Sequence, residues 1–216
     1  MRNKGRICGS IGMFIIHLIY LIYYYCRDGT LEPFDLYTYP LLIFCGYWIG
    51  KQYDKVKFYS EKDELTGLYN RRFVVRIFEK ISLLSERANS RLFVLIIDCN
   101  NFKYINDCYG HLNGDLILTK IAETLLKSTR KSDITARWGG DEFLIIGYYK
   151  DEEGLQTLLN RLDNQLENLS KQVSIDVSVS IGSALYPDDS KNLDELIKSA
   201  DRNMYKYKEQ RKTGTK

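Results

Sequence analysis

An α/β fold with a mixed central sheet is predicted by three features of the sequence. A continuous apolar run, Leu92–Ile97, ends on Asp98; a Gly139-Gly140 turn separates two apolar β-type runs; and apolar residues at helical spacing flank both. The run reads as a central strand, the turn as a β-hairpin carrying Asp141 and Glu142, and the amphipathic stretches as helices packed around the sheet. The hairpin is what makes the sheet mixed rather than purely parallel.

The elements before the sheet are apolar. From Ile7 to Tyr25 there is no charged side chain, and His17 is the strongly polar group within a run close to the length of a bilayer-crossing helix. A second, shorter run ends at Gly50, with Tyr37, Tyr39, Tyr47 and Trp48 suited to the two membrane interfaces. Arg2, Lys4 and Arg6 precede the first run and Lys51, Lys55 and Lys57 follow the second, so both ends of a membrane hairpin are expected to face the cytoplasm. The intervening loop with Arg27, Asp28, Glu32 and Asp35 is too short for a ligand-binding domain. A cleaved signal peptide is disfavoured because the run is long for a signal core and no small-x-small site follows it. The expected organisation is an anchor over 1–50 with spans at about 7–25 and 34–50, a linker helix over 51–62, and one domain over 63–212. Tyr53, Val56, Phe58 and Tyr59 give the linker an apolar side suited to pairing with a second copy.

Within that domain, Phe73, Ile77, Phe78, Ile81 and Leu84 predict a helix over Arg72–Glu86. Asn113 is expected to cap a helix carrying Leu116, Leu118, Ile121, Leu125 and Leu126. Ile134-Thr135-Ala136 and Phe143–Ile146 are the hairpin strands, and Leu155–Leu169 is a further amphipathic helix. Val173, Ile175, Val177, Val179 and Ile181 alternate with polar residues, which predicts a strand with one buried face; Leu193–Tyr207 closes the chain as a helix.

Composition excludes several classes. The 216 residues are 44% hydrophobic and 27% charged, an ordinary globular mixture, and a net charge of +3 without a basic run interleaved with aromatics argues against nucleic acid as a partner. The 5 cysteines include no Cys-x-x-Cys pair, so neither a disulfide framework nor a thiolate zinc site is indicated.

Chemistry concentrates where carboxylates meet strand ends. Adjacent Asp141 and Glu142 repel each other on a turn that does not need them for folding, and a cation compensates such a pair; the bland reading is a solvated acidic turn. Asp98 ends the central strand, and if the two edges are neighbours an oxygen-only site suited to Mg²⁺ shared with substrate phosphates results. Cys99-Asn100-Asn101-Phe102-Lys103 is short enough to turn backbone N–H groups and an ammonium toward phosphate. Asn106 and Asp115 offer the donors and acceptors that guanine demands; helix capping by Asn106 or Asp107 and a helix-dipole role for Asp115 are the structural alternatives.

Taken in order, these residues resemble the GGDEF family of bacterial diguanylate cyclases. Asp63-Glu64-Leu65-Thr66-Gly67-Leu68-Tyr69-Asn70-Arg71-Arg72 is similar to its opening motif, Asp98–Asp115 to its metal, phosphate and base segment, and Gly139-Gly140-Asp141-Glu142-Phe143 to its signature. Ser180-Ile181-Gly182 and Ala200-Asp201-x-x-Met204-Tyr205-x-x-Lys208 resemble its closing motifs. The resemblance implies a nucleotidyl cyclase core that condenses two GTP into cyclic di-GMP and two pyrophosphates, with each subunit of a homodimer presenting one GTP. It implies Asp98, Asp141 and the Cys99 backbone carbonyl as ligands of Mg²⁺ (or Mn²⁺), and Glu142 beside Asp141 as the catalytic residue that activates the attacking 3′-hydroxyl. Asn106 and Asp115 match the guanine readers. Lys103, Lys208 and Lys212, with the amides of Asn101 and Phe102, match phosphate contacts. Arg130-Lys131-Ser132-Asp133 fits an Arg-x-x-Asp inhibitory product site, with Arg161 as a secondary contact; an ordinary helix-end ion pair would explain the same spacing. The resulting expectation is a multi-pass protein of the bacterial inner membrane, lipid-embedded through two spans, with its catalytic domain in the cytoplasm.

Two departures stand out. Asn100 replaces the second acid of the family's Asp-x-Asp, and Arg211-Lys212 replaces a Gly-Arg pair. The alternative they raise is a catalytically inactive module that binds GTP or cyclic di-GMP as a membrane signalling scaffold.

Overall fold

The structure is a computed structural model that describes residues 3–30, 33–173 and 175–213, with side chains described except at 33–36, 58 and 206–213. The chain divides into two compact units, Met1–Ser60 and Glu61–Lys216.

The first unit is a helical hairpin of α1 (Lys4–Asp28) and the greater part of α2 (Pro33–Glu61). Glycine lets the two backbones touch: a Cβ at Gly9 would collide with the Gly46 carbonyl, and one at Gly50 with Gly5. Asp54 of α2 caps α1 from across the pair, its carboxylate accepting from the amides of Gly5 at 2.8 Å and Arg6 at 3.2 Å. His17 is buried between Tyr20 and Tyr39, at ring-centroid distances of 5.8 and 5.3 Å. α1 is long and apolar enough to cross a bilayer, and only 6% of its most apolar window is buried, unlike the core helix of a soluble protein. Among the described residues it is the one helix that meets this test. The expected second span and the expected linker form one uninterrupted helix, α2, whose polar C-terminal part begins at Lys51.

The second unit is a sheet with helices on both faces. Its strands are β1 (Tyr69–Asn70), β2 (Arg91–Cys99), β3 (Ile134–Arg137), β4 (Glu142–Tyr149) and β5 (Val179–Tyr186), in the order β1-β3-β4-β2-β5. The sheet is mixed, as expected, but for a different reason. Every pairing from β3 to β5 is antiparallel, and the parallel component is β1, which pairs Tyr69 with Ala136 and Asn70 with Arg137.

β2 is central and buried on both faces. Phe93, Leu95, Ile97 and Cys99 point into one core with α4 (Phe102–Tyr109), α5 (His111–Ser128) and α6 (Glu152–Val173). Leu92, Val94 and Ile96 point into the other, with α3 (Arg71–Arg87) and α7 (Leu193–Thr213). This two-sided burial is why the run is continuous rather than alternating.

Two local expectations are corrected. The strand predicted from Val173 begins only at Val179, because α6 runs through Val173 and β2 ends at Cys99, opposite Val179; before it only the Ser178 carbonyl still accepts from that side, from the Asn100 amide, and Val177 N–H turns to Ser170 Oγ. Ile175 and Val177 still pack on the core, which accounts for the alternation. Asn113 is not the cap of α5; that position is Gly110, with φ of 82°, and Asn113 lies in the first turn, donating to the Tyr109 carbonyl at 2.7 Å.

Candidate active site

The antiparallel register of β2 and β4 sets Asp98 directly opposite Glu142, and β5 sets Ser180 on the other side of Asp98. Asp141 joins them from the turn, its carbonyl accepting from the Cys99 amide at 3.1 Å. α7 adds a carboxylate that sequence reading quoted in a motif but did not assign, Asp201. It approaches because Gly182 has no side chain: a Cβ there would collide with the Ala200 carbonyl and lie 2.7 Å from Met204 Cβ. The triplet Ser180-Ile181-Gly182 is thus the seat on which α7 rests.

Four carboxylates therefore converge at one sheet edge, and they act on one another. Burial raises Glu142 above the usual carboxylate range, reinforced by Asp201, Asp98 and Asp141 and opposed by Arg71. Burial, with Asp98, raises Asp201 as well. The Cys99 thiol, packed in the core, is pushed up to about 12 by burial and by Asp141 and Asp98, so it stays protonated and offers no thiolate ligand. The described residues form no group of three or more His, Cys, Asp or Glu arranged as a ready-made ion cage. Oxygen donors short of a full cage suit a hard divalent cation that completes its shell with water and phosphate oxygens.

The segment after Asp98 is shaped for anions. Asn101 adopts a left-handed conformation, φ of 55°, at the N-terminus of α4 and makes no side-chain cap. The first intrahelical bond is Ile105 N–H to the Asn101 carbonyl, at 3.0 Å, so the amides of Phe102, Lys103 and Tyr104 have no acceptor inside the helix. Asn106 of α4 faces α5 at Gly114, where a Cβ would collide with Asn106 Oδ1. Asp115, the next residue of α5, is exposed. Lys208 and Lys212 lie outside the residues whose side chains are described.

Asn100, the departure from the acidic pattern, is fully engaged. Its amide donates to the Ser178 carbonyl at 2.9 Å, its Nδ2 donates to Ser178 Oγ at 3.2 Å, and its Oδ1 accepts from Ser180 Oγ at 2.7 Å. A carboxylate here would have to accept from the Ser178 hydroxyl rather than donate to it.

The signature turn is braced by residues to which sequence reading gave no individual role. Trp138 N–H donates to the Glu142 carbonyl at 2.8 Å, closing the turn. Arg137 donates through Nη2 to the Gly140 carbonyl at 2.6 Å and pairs through Nη1 with Asp63 at 3.2 Å. Asp63 also accepts from the Thr66 amide and hydroxyl. Partial burial alone would raise Asp63, but Thr66 and Arg137 outweigh it and hold the carboxyl below its usual range. The signal for this brace was the spacing of Asp63 and Thr66 in the opening motif.

Away from this edge, Arg130, Asp133 and Arg161 line one cleft of about 340 Å³. The ion pair that would explain the Arg130–Asp133 spacing is absent among the described residues. Asp133 Oδ2 instead accepts from the Arg130 amide at 2.9 Å.

Comparison with known proteins agrees with this geometry. Residues 60–214 match the family described as diguanylate cyclase, GGDEF domain. The chain is 37% identical over 154 residues to the bifunctional diguanylate cyclase/cyclic di-GMP phosphodiesterase MucR of Pseudomonas aeruginosa, covering 70% of this chain and 22% of that protein. It is likewise 37% identical over 147 residues to the diguanylate cyclase DosC of Escherichia coli, covering 66% of this chain and 32% of that protein. The chain thus spans a third or less of the length of these relatives. The crystal structure of a sensory box/GGDEF family protein from Caulobacter crescentus superposes with a TM-score of 0.62 at 31% identity, over 69% of this chain and 99% of that one. With the family matched across its second unit, the chain belongs to the GGDEF diguanylate cyclase family.

Proposed function

We propose that the protein is a membrane-anchored diguanylate cyclase, condensing two GTP into cyclic di-GMP and two pyrophosphates. The observation that carries this reading is the ladder pairing of Asp98 with Glu142 beside Asp141, at the edge next to the α4 N-terminus. Asp98, Asp141 and the Cys99 carbonyl would hold a divalent cation, Mg²⁺ or Mn²⁺, which would supply charge neutralisation at the phosphates. The α4 amides and Lys103 hold the triphosphate, joined by Lys208 and Lys212 from α7. Asn106 and Asp115 read the guanine edge, an amide and a carboxylate together matching its donors and acceptors.

In each half-reaction the 3′-oxygen of one GTP attacks the α-phosphorus of the other. The new P–O bond forms as the bond from the α-phosphorus to the bridging oxygen breaks, and pyrophosphate leaves with that electron pair. The hydroxyl proton passes to Glu142, which stands opposite Asp98 at the same sheet edge. One chain carries one such half-site, so the reaction needs a second copy facing it; Tyr53, Val56 and Tyr59, exposed along α2, suit a homodimer. Product held by Arg130, Asp133 and Arg161 in their cleft restrains the enzyme, guanidinium groups pairing with phosphate and guanine. α1 and the apolar part of α2 form a two-span anchor in the bacterial inner membrane, with the catalytic unit in the cytoplasm.

The full-length chain in detergent micelles, given GTP and Mg²⁺, is expected to release cyclic di-GMP identified by mass, and Asp141→Ala to release none. GTP binding without product would establish instead the inactive nucleotide-binding module, with Asn100 as its first cause to test.

A further inference from the structure

A second cleft, of about 410 Å³, lies beside the signature turn and is lined by Arg71, Arg72, Trp138, Gly139 and Gly140, together with the braced pair Asp63 and Arg137. Its cations are unequally employed. Arg137 is committed to Asp63 and to the Gly140 carbonyl. The guanidinium of Arg71 lies 4.6 Å from the centroid of the Trp138 ring, a cation–π contact that by its nature uses no hydrogen-bond acceptor. Neither Arg71 nor Arg72 has a carboxylate at ion-pair distance among the described residues. Asn70, the remaining polar wall, is spent on the Phe73 amide and the Lys62 carbonyl.

Two arginines that line one concave site beside an indole, neither in an ion pair among the described residues, form a donor set for phosphate oxygens. The cleft borders the acid cluster without belonging to it: a Cβ at Gly139 would lie 2.8 Å from Glu142 Oε2, so cleft and cluster share the turn. Arg71 is also the cation that opposes the rise of Glu142.

We propose that this cleft is a diphosphate-binding subsite, with Arg71 and Arg72 as its donors and Trp138 holding Arg71 in place. The occupant is a phosphoanhydride group, either on the nucleotide held by a facing copy or on the released pyrophosphate. The choice between these two sources rests on the cyclase reading; the subsite itself does not.

The test uses inorganic pyrophosphate and the full-length chain in detergent micelles, with EDTA present so that cation-dependent binding is silent. Calorimetry is expected to show binding that weakens by about tenfold or more in Arg71→Ala and in Arg72→Ala. Arg71→Lys is expected to fall between, and Asp141→Ala to bind undiminished. Thermal melting of each variant separates loss of the subsite from loss of the fold. No binding to the wild type, or undiminished binding to a folded Arg71→Ala chain, overturns the proposal. With GTP and Mg²⁺, a raised KM at unchanged kcat in Arg72→Ala identifies the substrate's phosphates. Relief of pyrophosphate inhibition at unchanged KM identifies the product. Absence of turnover in the wild type would count against the cyclase reading while the EDTA titration still decides the subsite.

Discussion

Asp63 and Arg137 are joined by an ion pair of 3.2 Å across 74 residues of sequence, and the same guanidinium holds the Gly140 carbonyl at 2.6 Å. The first residues of the second unit thereby grip the turn that carries Asp141. The pair is only partly exposed, at 16% for the arginine side chain and 23% for the aspartate, so solvent weakens it less than a surface bridge.

Asp63→Asn keeps the shape and removes the charge. It is expected to destabilise the fold by about 2 kcal/mol and to lower cyclase turnover more than GTP binding, because the turn rather than the guanine contacts is loosened. Asp63 titrates below its usual value in the folded protein. Its contribution is therefore complete above the ordinary carboxylate range near pH 4 and is lost as pH falls through the folded value. Denaturation curves of wild type and Asp63→Asn, compared at falling pH, should converge at the acid end.

The acid cluster has the opposite sign. Glu142 and Asp201 titrate above their usual values, so ionising them costs the folded state, and their contribution to stability declines as pH rises from about 4 through the raised values. Asp98→Asn removes a charge that faces both. In cation-free buffer its melting temperature should exceed that of the wild type by a margin that grows with pH, with about 2–4 °C for each kcal/mol relieved. Mg²⁺ should raise the wild-type melting temperature and leave the variant's nearly unmoved.

Gly182→Ala places a methyl group against the Ala200 carbonyl and Met204. Backbone cannot yield as a side-chain tip does, so a loss of about 2 kcal/mol is expected from urea denaturation. Activity should fall with it, since the displaced helix carries Asp201.

Arg130→Ala should leave the initial rate unchanged and lengthen the linear phase of the progress curve, because product would no longer be retained in the cleft shared with Asp133 and Arg161. Unaltered curvature would show that the cleft does not restrain the enzyme.

The parts of the fold readable from sequence were those where burial dictates residue type. β2, the hairpin of β3 and β4, and the amphipathic faces of α3, α5 and α6 all follow from apolar period. β1 was not readable because two residues carry no period, and its pairing with β3 is visible only in three dimensions. Ile175 and Val177 misled because alternation reports burial of one face and says nothing of a ladder partner. In the site, Asp98, Asp141 and Glu142 announced themselves as charges at the ends of apolar runs. Asp201 and Arg71 sit on helix faces where charge is ordinary, and only the sheet edge they overhang gives them meaning. The continuity of α2 was hidden by its change from apolar to polar at Lys51, which alters its surroundings without altering its backbone.

Asp98 and Glu142 form the last rung of a ladder whose neighbouring rungs, Ile97 with Phe143 and Ile96 with Leu144, are almost wholly shut off from solvent. Amides on such rungs exchange with deuterium only when the whole unit opens, whereas those of frayed ends exchange continually. Asp98 and Glu142 are therefore hung directly on a ladder whose inner rungs open only with the whole unit. Their spacing is set by the same registry that keeps the core dry, so the constellation persists for as long as the unit remains folded.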